Sequence, residues 1–215
     1  MTPNKEDYLK MIYEIGETED KISNKRIAER MGVSAPSVSE MIKKLIAENL
    51  IIKDKDLGYQ VTREGLSLVS ELYRKHRLIE IFLMQKLQYN IEEVHEEAEI
   101  LEHTVSTFFI NRLEECLGFP SFCPHGRTIP KRGELLVELY HQSLAHIEEI
   151  GFYMINRVHD DFDLLNYLEK NGLAIGMTVE ISQIDSFAGT HTLVYPGNRL
   201  AIPTSIAKQI YVSPV

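Results

Sequence analysis

Four side chains that can bind metal ions recur at a helical spacing near the middle of the sequence: His95, Glu99, Glu102 and His103. Steps of three and four residues place them on one face of an α-helix. Two carboxylates and two imidazoles on one strip would repel each other or stay hydrated, whereas a divalent cation would hold them together. The spacing therefore predicts a metal-binding face, with a solvated acidic helix as the simpler alternative.

Further residues of metal-binding type are spread along the chain, at Asp7, His76, Glu80, Cys123 and His125, and the run His159-Asp160-Asp161 follows later in the sequence. None of their spacings is specific alone, because a free cysteine is usually a small buried apolar residue and a loop histidine usually faces solvent. Carboxylate and imidazole donors suit a hard ion such as Mn²⁺, whereas the thiol of Cys123 favours Zn²⁺ or Cd²⁺.

The elements that would position these ligands begin with three predicted helices, over residues 5–16, 24–31 and 34–49. Gly16 is predicted to end the first helix, while Ser23 and Ser34 resemble N-caps of the second and third. Two short helices joined by a glycine turn predict a helix-turn-helix. The following segment, 50–62, predicts two short strands around a turn, so we expect a winged helix.

A surface for DNA is predicted on the third helix and the wing. Serines at a helix N-terminus suit phosphate and base-edge contacts, and lysines add attraction that does not depend on base sequence. The predicted contacts are Ser34, Pro36, Ser37, Ser39, Lys43 and Lys44 on the helix, and Lys53, Lys55 and Tyr59 on the wing. A protein-interaction module is the alternative interpretation of this motif.

The charge of the chain is unevenly distributed. The 215 residues carry a net charge of −9, yet residues 1–75 hold 13 basic and 13 acidic side chains, so the whole deficit lies in the remainder. Residues 21–63 hold 9 basic and 5 acidic side chains. A locally basic segment on an acidic chain is typical of two parts that bind different partners.

Composition also bears on the compartment. The two cysteines are too few for a disulfide framework and suit a reducing environment. No signal pattern and no apolar run long enough for a bilayer are evident, so we expect a cytoplasmic protein with no membrane partner.

Two long helices are predicted next, over residues 63–87, capped by Thr62, and 91–117. They form a reasonable dimerisation element, with an intramolecular bundle as the alternative. A shorter amphipathic helix is predicted over 133–150. Strands are then predicted over 152–157, 178–184, 190–195 and 198–203, with a helix at 162–170, which indicates a small β-barrel.

The whole chain resembles the metal-dependent repressors of the diphtheria-toxin-repressor and manganese-transport-regulator family, and most closely the three-domain streptococcal-type manganese regulators. The resemblance rests on Lys5-Glu-Asp-Tyr-Leu, Ser34-Ala-Pro-Ser-Val-Ser39, Arg74-Lys-His-Arg-Leu-Ile-Glu80, the stretch from His95 to His103, Cys123-Pro-His-Gly126 and the final barrel.

This resemblance implies a mainly α-helical protein with a small β-barrel. We expect a winged helix-turn-helix domain over 1–72, a helical dimerisation and metal-binding domain over 73–145, and an FeoA-like barrel over 146–215.

The resemblance also implies two regulatory metal sites. One would use Glu80, Cys123, His125 and Asp160. The other would use Asp7, Glu99, Glu102 and His103, with His76 close by. His95 matches a position that binds metal in the iron-sensing branch of the family, which has sulfur ligands where this chain has Asp7 and Glu99.

The expected function is therefore repression of metal-uptake genes by a Mn²⁺-loaded homodimer bound to double-stranded operator DNA, without an organic effector. Zn²⁺, Cd²⁺ or Fe²⁺ are expected to be able to replace Mn²⁺. The alternatives are an iron-responsive repressor of the same family, a regulator that senses an organic ligand through its barrel, and a hydrolytic metalloenzyme built on the Glu/His cluster.

Overall fold

The computed structural model describes residues 2–159 and 161–215. The chain divides into two compact units, and three separate segments contribute to each. The first unit comprises residues 1–76, 100–107 and 130–136, and the second comprises residues 77–99, 108–129 and 137–215.

The first unit contains the winged helix-turn-helix. Ser23 and Ser34 are N-caps, as predicted, because their hydroxyls accept the backbone N–H groups of Arg26 and Ser37. The prediction that Gly16 ends the first helix is wrong, since that helix continues for another half-turn. The elements of the first unit are α1 (Pro3–Thr18), α2 (Asn24–Met31), α3 (Ala35–Ala47), β1 (Ile51–Asp54), β2 (Gly58–Val61) and the start of α4 (Arg63–Leu87).

The core of this unit is formed by apolar side chains at helical spacing. Ile12, Ile15, Ile27, Val38 and Leu45 are fully buried in one cluster. Asn24 on α2 also donates a 2.9 Å hydrogen bond to the Ser39 hydroxyl on α3, which holds the two helices of the motif together. Burial of a continuous apolar face accounts for most of the stability of such short helices.

The predicted helix over 91–117 is two helices, α5 (Ile91–Thr104) and α6 (Thr107–Cys116). The chain leaves the helix at Val105 and Ser106, where β-branched and hydroxyl residues follow one another. These residue types have low helix propensity, and hydroxyl side chains compete for backbone hydrogen bonds. In addition, the Val105 carbonyl accepts a 3.3 Å hydrogen bond from Lys75 Nζ.

The predicted helix over 133–150 is wrong. The segment is extended apart from a single 3₁₀ turn at Leu144–His146. Burial alternates residue by residue, with Leu136 and Glu138 buried and Val137 and Leu139 exposed. Its backbone groups bond elsewhere: the Leu139 N–H donates to the Thr128 hydroxyl, and the Gln142 carbonyl accepts the Val212 N–H. These contacts replace the i to i−4 ladder that a helix requires.

The C-terminal part of the second unit is an antiparallel sheet of five strands with two helices. Its elements are β3 (Gly151–Val158), α7 (Phe162–Lys170), β4 (Thr178–Asp185), β5 (Thr190–Tyr195), β6 (Asn198–Pro203), α8 (Thr204–Ala207) and β7 (Ile210–Pro214). The strand order in the sheet is β6-β5-β4-β3-β7. The sheet and α7 enclose a core that includes Ile155, Leu165, Ile181, Leu193 and Ile210. Strand β7 and the short helix α8 were not predicted.

Helices α4 and α5 carry charged residues along their length. Within the described ranges of the chain, no helix combines the length and the apolar character needed to cross a membrane.

Candidate functional site

The first unit has a buried carboxylate at its polar centre. Glu102, in the last turn of α5, is 0% exposed. The ammonium group of Lys10 on α1 lies 3.1 and 3.4 Å from its two oxygens. His76 on α4 lies with Nδ1 2.5 Å from Oε2, in a short hydrogen bond in which the imidazole N–H donates. Three helices therefore meet at one carboxylate.

The neighbouring residue, His103, extends this cluster toward the surface. Its Nδ1 lies 2.6 Å from Glu6 Oε2, and its Nε2 lies 2.8 Å from Asp7 Oδ1. The same Nε2 is 3.5 Å from Glu102 Oε1. Three carboxylates thus surround one imidazole, and two of them come from the first turns of α1.

The charge state of Glu102 follows from these neighbours. Burial alone would raise the pKa of Glu102, but the hydrogen bond and charge of His76 and the nearby charge of Lys10 lower it below its usual value. The carboxylate is therefore ionised. Asp7 and the ionised Glu102 lie 2.8 and 3.5 Å from Nε2 of His103, and these oxygen and nitrogen donors are of the types that suit a divalent cation.

The second unit contains a separate group of possible ligands. Glu80 on α4, Cys123 and His125 are all buried, and one donor atom from each lies within 4.8 Å of the other two. His125 Nδ1 is 3.5 Å from Glu80 Oε1. Sulfur, imidazole nitrogen and carboxylate oxygen are all donors that zinc and other transition metals accept.

The loop that presents Cys123 and His125 is a tight turn held against β3. The Gly126 N–H donates to the Cys123 carbonyl at 2.9 Å, and the Val158 N–H donates to the His125 carbonyl at 3.0 Å. Gly126 has φ +74°, and a Cβ there would lie 1.9 Å from the Asn156 carbonyl oxygen. Burial and the Glu80 charge raise the pKa of the Cys123 thiol, so a bound metal would be needed to favour the thiolate.

The structure therefore places most of the predicted metal ligands in two clusters, one in each unit. The structure brings Asp7, Glu102, His103 and His76 together in the first unit, and Glu80, Cys123 and His125 together in the second. Glu99 is half-buried and His95 is exposed, both on the part of α5 that belongs to the second unit. Asp160 lies outside the described residues.

Two residues of the first cluster, Glu6 and Lys10, were not predicted from the sequence. They are four residues apart on α1, a spacing that ordinarily indicates an ion pair on a helix surface. Instead, each contacts a different residue of α5. The signal available in the sequence was a lysine with three acidic residues, Glu6, Asp7 and Glu14, within four positions of it.

The predicted DNA surface is largely exposed. Ser34, Pro36, Ser37, Lys43 and Lys44 are exposed on α3, and Lys53 and Lys55 are exposed on the wing. Ser39 is half-buried and bonds to Asn24 and to the Ala35 carbonyl. Tyr59 lies on the wing as predicted, but it is only 8% exposed, and Lys53 Nζ lies 5.9 Å from its ring centroid. Tyr59 is thus a core residue that supports Lys53.

Comparison with known proteins identifies the family. The diphtheria toxin repressor of Corynebacterium efficiens is 30% identical over 189 residues, which cover 82% of this chain and 81% of the relative. The chain belongs to the diphtheria-toxin-repressor family. Members of this family are transcriptional repressors that depend on metal, not enzymes.

Three family models match successive segments of this diphtheria-toxin-repressor homologue. They describe the N-terminal DNA-binding domain of iron-dependent repressors at residues 1–59, the metal-binding and dimerisation domain of the same repressors at 62–131, and the FeoA domain at 142–214. The predicted order of winged helix, helical domain and small barrel is therefore confirmed.

Solved structures of family members are also similar over the full length. The manganese regulator SloR is 53% identical, with a TM-score of 0.90 and 100% of both chains covered. The structure of ScaR with bound Zn²⁺ is 54% identical, with a TM-score of 0.93, 99% of this chain and 100% of that chain covered.

Proposed function

We propose that this protein is a manganese-dependent repressor that binds operator DNA as a homodimer and represses genes for metal uptake. The observation that supports the proposal is the cluster around Glu102 and His103. This cluster joins α1, the first helix of the winged helix-turn-helix unit, to the last turn of α5 through ionisable side chains.

Asp7, Glu102 and His103 are the residues that would hold a cation in the first unit. We propose Glu99 as a fourth ligand, because it lies three residues before Glu102 and four before His103 on α5. When bound, a divalent cation would supply the positive charge that offsets the repulsion among these carboxylates.

The remaining residues of the cluster would prepare it for this role. His76 donates to Glu102 and fixes the orientation of its carboxylate. Asp7 links α1 to His103, so the position of α1 depends on the balance of charge at the cluster. In a dimer, the position of α1 would affect the spacing of two α3 helices, which must match half-sites about 34–36 Å apart.

The proposed identity of the metal rests on the donor atoms. A site of carboxylates with one imidazole favours a hard ion such as Mn²⁺, whereas sulfur ligands favour later or softer metals. The relative SloR is itself a manganese regulator. An iron-responsive repressor is the alternative, and competition between Mn²⁺ and Fe²⁺ distinguishes the two.

We propose that a second site per chain uses Glu80, Cys123 and His125, with Asp160 as a further ligand. Three buried donor atoms within 4.8 Å of one another support this site. Its thiol would allow Zn²⁺ or Cd²⁺ to replace Mn²⁺ there.

The exposed residues of α3 and the wing would contact DNA. The serines at the start of α3 would approach base edges and phosphates, while Lys43, Lys44, Lys53 and Lys55 would attract the phosphate backbone. Tyr59 would act by supporting Lys53. Lys44 is also paired with Glu40 at 2.7 Å, so that contact must be exchanged for a phosphate on binding.

The test is an equilibrium binding titration with duplexes from upstream of metal-transporter genes. Affinity should rise when Mn²⁺ is added, fall to the starting value with a chelator, and need no organic ligand. Lys43→Glu should weaken DNA binding by about tenfold or more without changing Mn²⁺ binding, because it reverses a charge on the DNA surface.

Lys131→Glu provides the matched control, since Lys131 is also exposed but lies outside the helix-turn-helix. Equal DNA affinity for chelator-treated and Mn²⁺-loaded protein would refute the proposed function. Activation by Fe²⁺ at a lower free concentration than Mn²⁺ would instead support the iron-responsive alternative.

A further inference from the structure

Lys10 is a buried lysine in direct contact with a proposed metal ligand. The residue is 8% exposed, and its Nζ lies 3.1 and 3.4 Å from the two oxygens of Glu102. Lysine is rarely buried to this extent unless it is paired, because removal of an ammonium group from water is costly. The ion pair with Glu102 therefore offsets the free-energy cost of burying both charges.

We propose that Lys10 is an internal competitor of the metal ion, which occupies Glu102 in the metal-free protein and thereby weakens metal binding. This inference rests on the proposed function, in which Glu102 is a metal ligand. The ammonium contacts both carboxylate oxygens, so a cation that binds Glu102 must either share these oxygens with Lys10 or displace it.

The positive charges of Lys10 and of a metal ion make it unfavourable for the two to share the Glu102 carboxylate. An ammonium and a divalent cation on one carboxylate would lie within a few ångströms of each other, and like charges at that distance repel strongly where water is excluded. Glu102 is 0% exposed, so solvent would screen this repulsion poorly. Metal binding and the ion pair between Lys10 and Glu102 therefore oppose each other.

The surroundings of Lys10 offer its ammonium another position. Glu14 lies one helical turn further along α1, at a spacing that allows an ion pair with Lys10. The Tyr73 hydroxyl donates a 2.6 Å hydrogen bond to Glu14, and the Tyr73 ring centroid is 5.6 Å from Lys10 Nζ. A flexible lysine stem can swing toward this carboxylate and ring without leaving the unit.

A lysine that only stabilised the carboxylate in every state would have the opposite effect on metal affinity. Loss of a competitor destabilises the metal-free protein more than the metal-loaded protein, and thus tightens metal binding by linkage. Loss of a general structural support would weaken metal binding or leave it unchanged. The sign of the change in metal affinity therefore distinguishes the two roles.

The experiment compares Lys10→Met with the unmodified protein in the absence of DNA. The dissociation constant for Mn²⁺, measured by isothermal titration calorimetry, should fall by about tenfold, which corresponds to about 1.4 kcal/mol. The melting temperature of the chelator-treated variant should fall, and the rise in melting temperature at saturating Mn²⁺ should exceed that of the unmodified protein.

Lys5→Met is the matched control, because Lys5 lies on the same helix but pairs with the surface residue Glu48 at 2.5 Å. It removes the same charge and should leave Mn²⁺ affinity near that of the unmodified protein. Lys10→Gln keeps a hydrogen-bond donor to Glu102 and serves as the second neutral variant if Lys10→Met does not fold. It should also bind Mn²⁺ more tightly than the unmodified protein.

Unchanged or weaker Mn²⁺ affinity in a folded Lys10 variant would overturn the inference. Failure of the proposed function has a different signature: the Glu102→Gln variant would bind Mn²⁺ as tightly as the unmodified protein does. In that case Glu102 would not be a ligand at all.

Discussion

At the scale of single residues, Glu138 shows how much one buried carboxylate contributes to the second unit. It is 4% exposed and accepts a 2.6 Å hydrogen bond from Arg77 Nη2 and a 2.9 Å bond from the Thr128 N–H. Arg157 Nη1 is 3.9 Å away. Burial alone would raise the pKa of Glu138, but the Arg77 charge and these further groups lower it below its ordinary value of 4.5.

We expect Glu138→Gln to destabilise the protein by about 3 kcal/mol or more at neutral pH, because Arg77 and Arg157 would keep buried charges without their carboxylate. A lowered folded-state pKa means that the ionised carboxylate stabilises the fold above about pH 4.5, and that this contribution is lost as the pH falls through the folded-state pKa. The difference between the two proteins should therefore shrink in acid.

Urea unfolding at pH 7 and near pH 4 measures this difference. Glu40→Gln is the control, because Glu40 is exposed and its pKa is also lowered, there by Lys44. It should leave the midpoint of unfolding almost unchanged. Equal destabilisation by Glu138→Gln at both pH values would contradict the ionic explanation.

At the scale of elements, the wing depends on a close approach of two backbones. Gly58 opens β2 with φ +79°, and a Cβ there would lie 2.0 Å from the Ile22 carbonyl oxygen. On either side of Gly58, the Ile22 N–H donates to the Leu57 carbonyl at 2.9 Å, and the Tyr59 N–H donates to the Ile22 carbonyl at 3.1 Å. Only glycine permits both this conformation and this contact.

Gly58→Ala should therefore separate the wing from the segment between α1 and α2. The positive φ alone costs about 1–2 kcal/mol, and loss of the two hydrogen bonds adds to it. Chemical denaturation should show a clear loss of stability, and DNA affinity should fall because Lys53 and Lys55 are no longer held in place.

Gly32→Ala is a stringent control for that variant. Gly32 also has a positive φ, +64°, but nothing lies within 4 Å of the position that its Cβ would take. Gly32→Ala should lose only the stability that the positive φ costs an alanine. If Gly58→Ala and Gly32→Ala lost the same stability, the close contact between Gly58 and Ile22 would not contribute to the effect.

At the scale of the whole molecule, the proposed regulation depends on coupling between the metal cluster and DNA binding. Asp7 and Glu6 both reach His103 from α1. Asp7 lies 2.8 Å from His103 Nε2, and its side chain is 43% exposed. Its loss should therefore disturb the cluster more than the fold.

We expect Asp7→Asn to remove most of the increase in operator affinity that Mn²⁺ produces. A coupling of about 1–3 kcal/mol corresponds to a change of roughly 5- to 150-fold, so the loss should be easily measured by fluorescence anisotropy with and without Mn²⁺. Asp20→Asn removes an exposed carboxylate between α1 and α2 and should retain full activation. Full activation of Asp7→Asn would exclude this coupling.

Features that depend on residues close together in the sequence were predicted correctly. Ser23, Ser34 and Thr62 cap helices because each hydroxyl bonds to an N–H three residues later. The four strands with apolar periodicity were also predicted, and the motifs together implied the family. Local hydrogen bonds and side-chain periodicity decide such features before the chain folds.

Contacts between groups that are far apart in the sequence became known from the folded protein. The segment over 133–150 is extended because its backbone bonds to Thr128 and to β7. Lys10 pairs with Glu102, 92 residues away, a contact that the spacing of charged residues on α1 does not indicate. Such contacts depend on which helices pack together, and packing is a property of the folded core that no short window of sequence contains.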